Sequence, residues 1–343
     1  MTSWLHHAFS RDVAIDMGTS RTLLFLQARG IVVNEPSVVA LHRKKEGRKR
    51  IVAVGQEAKD MLGRTPKNID VIQPIQKGII SDFDATVCML SHFIEQVQGK
   101  MTFFKPRAVI TISVGTTEVE KRAVKESAES AYTGEAVLIE EPMAAAVGAG
   151  MSITEPSGNM IVCIGGGTTQ VAVISLGGIV FSHSIRLGGN NLDEAICAYI
   201  KKAHSLLIGS ATAEQIKMRL GLARPDDPLV AIKVKGRDLI AGVPRVVEVN
   251  NQEIREAMSE PVNAIVEAIR LSLERTPPEL ASDIVDMGIV LSGGCAQLRN
   301  LDAVVQKETG VSVRLAPDPI CGAVLGAGKV LSEIDRLRQV LSR

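Results

Sequence analysis

Met160-Ile161-Val162-Cys163-Ile164-Gly165-Gly166-Gly167-Thr168-Thr169-Gln170-Val171-Ala172-Val173-Ile174-Ser175-Leu176 sets two runs of β-branched and apolar residues around a centre of three glycines and two threonines. The runs predict two strands, and the centre predicts a tight turn whose backbone lies bare. Glycines, having no Cβ, let several peptide N–H groups point into one concavity, and threonine hydroxyls add donors. An anion of high charge density can sit in such a turn without a dedicated lysine. Taken singly, the segment also reads as an ordinary glycine-rich hairpin.

The motif occurs twice. Val13-Ala14-Ile15-Asp16-Met17-Gly18-Thr19-Ser20-Arg21-Thr22-Leu23-Leu24-Phe25-Leu26 repeats the order strand, Gly/Thr/Ser turn, strand, and a Gly-Ile-Val strand follows each copy, at Gly30 and Gly178. A second pair of segments also recurs. Glu141-Pro142-Met143-Ala144-Ala145-Ala146-Val147-Gly148-Ala149-Gly150 and Asp318-Pro319-Ile320-Cys321-Gly322-Ala323-Val324-Leu325-Gly326-Ala327-Gly328 each place an acid and a proline ahead of a helix of small residues. Proline suits the first helical turn, and Ala/Gly faces let two backbones approach closely. The order hairpin, helix, hairpin, helix predicts two similar lobes that face each other and hinge where the small helices cross.

Together with Gly288-Ile289-Val290-Leu291-Ser292-Gly293-Gly294-Cys295-Ala296, these segments resemble the five nucleotide-site motifs of the actin superfamily. Asn34-Glu35-Pro36-Ser37-Val38-Val39-Ala40, Ile139 to Ala146 and Ala172 to Leu176 are similar to the MreB family, the bacterial actin homologues that determine rod shape. The resemblance runs from about Asp12 to about Leu331, and five motifs in order are far more specific than one glycine-rich loop. It implies an α/β, actin-like (ribonuclease H-like) two-lobed fold, each lobe a mixed sheet flanked by helices with a smaller inserted subdomain. The implied first lobe core is 12–35 and 80–152, with 36–79 inserted; the second is 153–189 and 251–343, with 190–250 inserted. Residues 1–11 are the implied amphipathic membrane-binding segment.

At 343 residues the chain is long enough for two lobes of ordinary domain size. A net charge of +1 argues against a nucleic-acid surface, and the charged run Arg43 to Arg50, with nothing aromatic beside it, reads as a solvated loop tip. The five cysteines, Cys88, Cys163, Cys197, Cys295 and Cys321, are odd in number and lack zinc-site spacing, which suits reduced thiols in a cytoplasm. No apolar run is long enough to cross a bilayer and the first ten residues lack a secretory pattern, so a cytoplasmic protein is expected, peripheral at the inner face of the cytoplasmic membrane.

Trp4, Leu5, Ala8 and Phe9 fall at helical spacing opposite His6 and His7, which reads as a short interfacial amphipath or as a strap packed on its own lobe. Phe103 and Phe104, beside Lys105 and Arg107, resemble the hydrophobic loop by which the family sits on membranes; folding back into the core is the alternative. Phe83, Val87, Leu90, Phe93 and Ile94 predict a helix over 82–98 that covers a sheet. Thr117 and Glu120 predict a capping box. A helix over 251–275 is expected to be interrupted at Pro261.

By resemblance, Gly18, Thr19, Ser20 and Thr22 clasp the phosphates of ATP or GTP from one lobe, and Gly165, Gly166, Gly167, Thr168 and Thr169 do so from the other. Asp16 would hold the hydration shell of Mg²⁺, and Glu141 would align the attacking water. Gly188 and Gly189 leave room for a ribose or phosphate, and the helix carrying Glu214, Gln215, Ile216 and Lys217 presents an acid and a base to the nucleoside. As isolated residues Glu214 and Lys217 read more often as an exposed helical pair. Gly293, Gly294, Cys295 and Ala296 would lie against the adenine. Three positions depart from the family: Cys163 where an aspartate is usual, Gln170 for an acid, and Arg21 for asparagine. A neutral, soft thiol in place of a hard carboxylate weakens metal placement more than phosphate contact. Arg21 offers a fixed positive charge near the phosphates or an ion pair elsewhere.

The resemblance implies a nucleotide-gated filament protein that organises peptidoglycan synthesis, with slow ATPase activity weakened by Cys163. Its partners would be further copies of itself in paired protofilaments, the inner membrane surface, and the cell-wall elongation machinery, such as a RodZ-type membrane adaptor. Two alternatives are a hydrolysis-impaired regulatory paralogue that co-assembles with an active one, and a soluble actin-fold ATPase or kinase.

Overall fold

The computed structural model describes residues 12–43, 49–98, 105–131, 133–225, 228–334 and 336–342. Trp4, Leu5 and Phe9, and the pair Phe103 and Phe104, lie outside the described residues.

The first lobe opens with a meander of β1 (Val13–Met17), β2 (Arg21–Leu26) and β3 (Gly30–Pro36). A small sheet follows, from β4 (Val39–Arg43), β5 (Lys49–Val54) and β6 (Ile69–Ile72), with the short helix α1 (Gln56–Asp60) between its last two strands. A two-stranded ribbon, β7 (Ile75–Gln76) and β8 (Ile79–Ile80), leads to α2 (Phe83–Gln98), β9 (Ala108–Ile112), α3 (Glu118–Ser130), β10 (Ala136–Glu140) and α4 (Glu141–Gly148). The main sheet runs β3-β2-β1-β9-β10, antiparallel through the meander and parallel from β1 onward.

Side chains alternate across a strand, so β1 feeds two cores. Val13, Ile15 and Met17 pack with Met89, Leu90, Phe93 and Val97 of α2, whereas Ala14 faces the small-residue helices. The stripe on α2 begins at Ala85, two residues later than expected, and Phe83 at the helix start is 39% exposed. Thr117 and Glu120 form the reciprocal capping box on α3.

The second lobe repeats this plan with β11 (Asn159–Ile164), β12 (Thr169–Ser175) and β13 (Gly178–Ile185). Then come α5 (Gly189–His204), β14 (Leu206–Leu207), α6 (Ser210–Leu220), β15 (Ala231–Asp238) and β16 (Pro244–Asn250). The lobe closes with α7 (Asn251–Glu274), α8 (Pro278–Met287), β17 (Ile289–Ser292), α9 (Leu301–Thr309), β18 (Val313–Leu315) and α10 (Gly322–Ser332). Its sheet, β13-β12-β11-β17-β18, has the same sequence of antiparallel and parallel neighbours as the first.

Two expectations are corrected. Pro261 does not interrupt its helix: α7 is continuous, and Ile254, Met258, Val262, Ile265 and Ile269 form one buried stripe on either side of it. A proline costs a helix about 3 kcal/mol, and each buried aliphatic side chain returns about 1.5–3 kcal/mol, so the stripe holds the turn together. The second acid-proline segment also differs from the first. Glu141 is itself the first residue of α4, whereas α10 starts only at Gly322, because the Asp318 carboxylate accepts from the Cys321 N–H at 3.1 Å and caps a preceding turn.

α4 and α10 cross between the lobes. The Cβ positions of Gly148 and Gly326 are taken by the carbonyls of Gly322 and Ala144, so no larger residue fits at either place.

Candidate functional site

The two glycine turns share one hydrogen bond. Gly18 N–H donates to the Arg21 carbonyl, and Gly165 N–H to that of Thr168, each at 2.9 Å. Their supports differ. Pro36 ends β3, which lets Ser37 turn back: its Oγ donates to the Gly18 carbonyl at 2.7 Å and its N–H to Ser20 at 3.1 Å. The second turn instead receives the N-terminus of α5, where Gly189 and Asn190 N–H groups donate to Gly165 and Gly166 at 3.0 and 2.8 Å.

The turns meet face to face. A Cβ on Gly166 would overlap the Ser20 side chain, and one on Gly167 would press on the Thr19 side chain. A third turn, Lys77-Gly78 between β7 and β8, closes the group: Gly78 N–H donates to Thr19 Oγ1 at 3.0 Å, and both residues have positive φ, 50° and 77°. A cavity of about 520 Å³ opens where the turns converge, within the range of small-ligand sites, ~300–1,000 Å³.

Asp16, Gly18, Thr19, Ser20, Arg21, Glu141, Gly165, Gly166, Gly167 and Thr168 line it around the turns, and Gly189, Glu214, Lys217, Gly293, Gly294 and Cys295 also line the wall. The remaining expected residues are placed elsewhere. Thr22 is fully buried against Ser37 and Met89, and Thr169 turns inward to donate to the Leu187 carbonyl. Gly188 sits behind the second turn, against the Gly165 and Gly166 backbone. On α6 only the face bearing Glu214 and Lys217 reaches the cavity; Gln215 is exposed and Ile216 belongs to the core, as does Ala296. Gly78, Thr111, Lys59, Met218 and Leu298 line the wall too, and sequence reasoning missed them.

Glu141 and Asp16 form the acidic end. Thr111 Oγ1 donates to Asp16 at 2.5 Å, which favours the carboxylate, but burial dominates and raises its pKa. Burial pushes Glu141 to about 8, and the charge of Asp16 pushes it the same way, against a hydrogen bond from Gln170. Gln170 is fully buried; its Oε1 accepts from the Val114 N–H at 2.7 Å while its Nε2 donates to Glu141. An acid there could not make both bonds while ionised, so the amide has its own role at this position.

Cys163 lies opposite Gln170 in the β11–β12 ladder, yet it is not in the cavity wall. It packs among Ala14, Ile139 and Met143, and burial raises its thiol well above the ordinary range, as do Glu141 and Asp16. Arg21 reaches back over β3, donating to Asn34 Oδ1 at 2.6 Å and the Asn34 carbonyl at 2.9 Å.

At the opposite end, the Lys217 ammonium sits 2.9 Å from Asp193 Oδ1, and it donates to the Gly189 carbonyl at 2.9 Å. Burial raises Asp193 to about 6 in spite of Lys217. Across the cavity mouth, Lys59 of α1 donates to Glu214 of α6 at 2.9 Å.

Comparison with known proteins gives concordant findings. The family model for MreB/Mbl protein matches residues 10–339. Cell shape-determining protein MreB of Escherichia coli strain K12 is 51% identical over 330 residues, 95% of each chain. Cell shape-determining protein Mbl of Bacillus subtilis strain 168 is 47% identical, over 96% of this chain and 98% of that one. Crystal structures of Spiroplasma citri MreB5 bound to ADP and to AMPPNP superpose with TM-scores of 0.89 at 32% and 33% identity, covering 94% of this chain and 97% and 96% of theirs.

Proposed function

The chain belongs to the MreB/Mbl family, and from that premise we propose that it is an ATP-binding, actin-like cytoskeletal protein whose filaments determine cell shape. The observation that carries the reading is the meeting of two glycine turns, one from each lobe, over a cavity with two half-buried carboxylates at one end. Backbone N–H groups of Gly18 to Ser20 and Gly165 to Thr168 would hold the phosphates. Lys217 and Glu214 would face the ribose, and Gly293 and Gly294 leave a flat wall for the base. That Spiroplasma citri MreB5 is crystallised bound to ADP and to AMPPNP supports nucleotide binding by this chain.

The residues also fit Mg²⁺. No group of three or more His, Cys, Asp and Glu side chains that could cage a metal occurs among the described residues. Mg²⁺ needs none: it keeps several waters and takes one or two carboxylates beside the phosphates. Burial raises both Asp16 and Glu141, and the charge of Asp16 raises Glu141 further, which is the state a cation relieves. When bound, the ion would neutralise charge on the phosphates. The chain's own part is to keep Asp16 fixed through Thr111 and Glu141 aimed through Gln170, with Glu141 aligning water for slow hydrolysis. The thiol of Cys163 leaves this end one carboxylate short of the family pattern, so hydrolysis is reduced, and a regulatory paralogue that co-assembles with an active one is the second reading.

Filaments would lie at the inner face of the cytoplasmic membrane through Trp4, Leu5 and Phe9, aided by Phe103 and Phe104, and would guide peptidoglycan synthesis through a RodZ-type adaptor. Among the described residues no helix is long and apolar enough to cross a membrane. Sedimentation with and without Mg²⁺-ATP, with phosphate release measured on the same samples, tests the reading. ATP-dependent pelleting with slow release is expected. No pelleting and no thermal stabilisation by ATP would overturn it.

A further inference from the structure

Lys59 lies far from the glycine turns in sequence and carries no motif, yet its ammonium stands 2.9 Å and 2.7 Å from the two carboxylate oxygens of Glu214, a residue 155 positions away on the other lobe. Both side chains line the cavity, and they are 28% and 32% exposed, as expected of groups at a mouth. We propose that this pair is a latch across the cleft, and that Lys59 sets how fast nucleotide enters and leaves. The proposal rests on the cavity being the nucleotide site.

Each end of the latch is anchored to the machinery it would guard. On the first lobe, α1 is a single short turn whose first N–H, from Gln56, donates to Glu35 Oε2 at 2.9 Å. Glu35 belongs to β3, and Ser37, just beyond that strand, braces the first glycine turn. On the second lobe, Glu214 is three residues before Lys217, one helical turn away on the same face. Lys217 holds the Gly189 carbonyl, and Gly189 N–H holds the second glycine turn. Opening the mouth therefore requires the small sheet and α6 to separate, and the ion pair resists this at the rim.

A partly exposed pair is worth little in affinity and is screened by salt. Its effect is on rates: breaking it lowers the barrier to entry and to exit alike. Replacing Lys59 by alanine is expected to speed release of a fluorescent ATP analogue about two- to fivefold, the factor that an exposed pair's contribution allows. Association should quicken by a similar factor, so Kd moves less than either rate. Lys59→Arg should behave as the parent protein, and raising salt should bring the parent towards Lys59→Ala.

Stopped-flow release is the first measurement. The second is the distance between dyes attached at the exposed Lys67 and Arg219 in ligand-free protein, which should lengthen or broaden in Lys59→Ala. Unchanged release from Lys59→Ala, or release from Lys59→Arg as fast as from Lys59→Ala, overturns the proposal. If the parent protein takes up no nucleotide, the reading of the site falls by itself; identical dye distances in parent and Lys59→Ala then overturn the latch as well.

Discussion

Asp16 and Cys163 hold the same place in two copies of one hairpin. Each stands two residues before the glycine whose N–H closes the turn, and the turns are closed by hydrogen bonds of the same length. Across the ladder Asp16 faces Leu23, while Cys163 faces Gln170. The first copy therefore sends a carboxylate into the cavity over an apolar neighbour, and the second keeps its thiol in the core and sends an amide towards Glu141. Backbone geometry is what the two share, and on the proposed reading N–H groups would make the anion site in both. Side-chain charge is free to diverge, and the divergence falls at the acidic end of Asp16 and Glu141 rather than at the glycine backbone.

The largest expected effect comes from making the copies alike. Cys163→Asp puts a carboxyl among Ala14, Ile139 and Met143, beside the acids Asp16 and Glu141. Leaving a buried charge uncompensated costs about 3–5 kcal/mol. Denaturant unfolding of the ligand-free variant should show a loss of that order, and Mg²⁺-ATP should return much of it. At equal filament mass, phosphate release from Cys163→Asp, alone or with Gln170→Glu, should exceed the parent rate. A rate no higher would mean that the cysteine is neutral.

Next in size is Gly166→Val. Gly18 is crowded by its own turn, with the Arg21 carbonyl 2.8 Å from its Cβ position, but Gly166 is crowded by Ser20 of the other lobe. Overpacking of this kind costs about 1–3 kcal/mol. Thermal melts should show a lower midpoint and no ATP-induced rise. Ser20→Gly in the same chain should restore part of the midpoint, whereas the same second change should not rescue Gly18→Val.

The repeat made the fold legible from the sequence: two hairpins, two small-residue helices and alternating strands needed only local rules. The start of α10 and the continuity of α7 escaped those rules, because one depends on the Asp318 side chain and the other on a buried stripe that outweighs a proline. At the site, the glycines were legible because nothing else leaves backbone bare. Ile216 and Ala296 were swept in with their motifs although their faces point to the core. Lys59 and Gly78 are brought to the cavity by tertiary contact alone, and the positive φ at Gly78 is a signal visible only with the backbone in hand.

A third test uses pH to ask whether Asp16 and Glu141 act as one acidic end. Glu141 is raised from its ordinary 4.5 to about 8, so the folded state holds more protons than the unfolded chain between those values. Stability of the ligand-free protein should be fullest below the lower value and should fall as pH rises towards the upper one, by at least on the order of 1 kcal/mol. Glu141→Gln should flatten that slope and stabilise the protein near pH 8. An unchanged slope would place the protons elsewhere, Asp193 being the next candidate because its window ends at about 6.

The smallest effect is expected at the fourth residue of each turn, where Arg21 matches Thr168. Both carbonyls close their turns, but the side chains part company: Thr168 is buried where the turns meet, and Arg21 is exposed. The Arg21 guanidinium spends two donors on Asn34, along the surface of the β2–β3 pair. An exposed arginine held this way adds positive potential to the cavity without touching what lies in it, and solvent screens most of that potential. Arg21→Gln should therefore weaken ATP binding by less than about threefold and leave unfolding stability within about 0.5 kcal/mol of the parent. Thr168→Val, which keeps the shape and removes the hydroxyl, should cost more affinity than Arg21→Gln, by about 1 kcal/mol for one lost hydrogen bond. Titrating both variants with a fluorescent ATP analogue at low and high salt decides the matter. A loss for Arg21→Gln larger than that for Thr168→Val, and erased by salt, would mean that Arg21 leaves Asn34 for the phosphates and offsets the missing charge of Cys163.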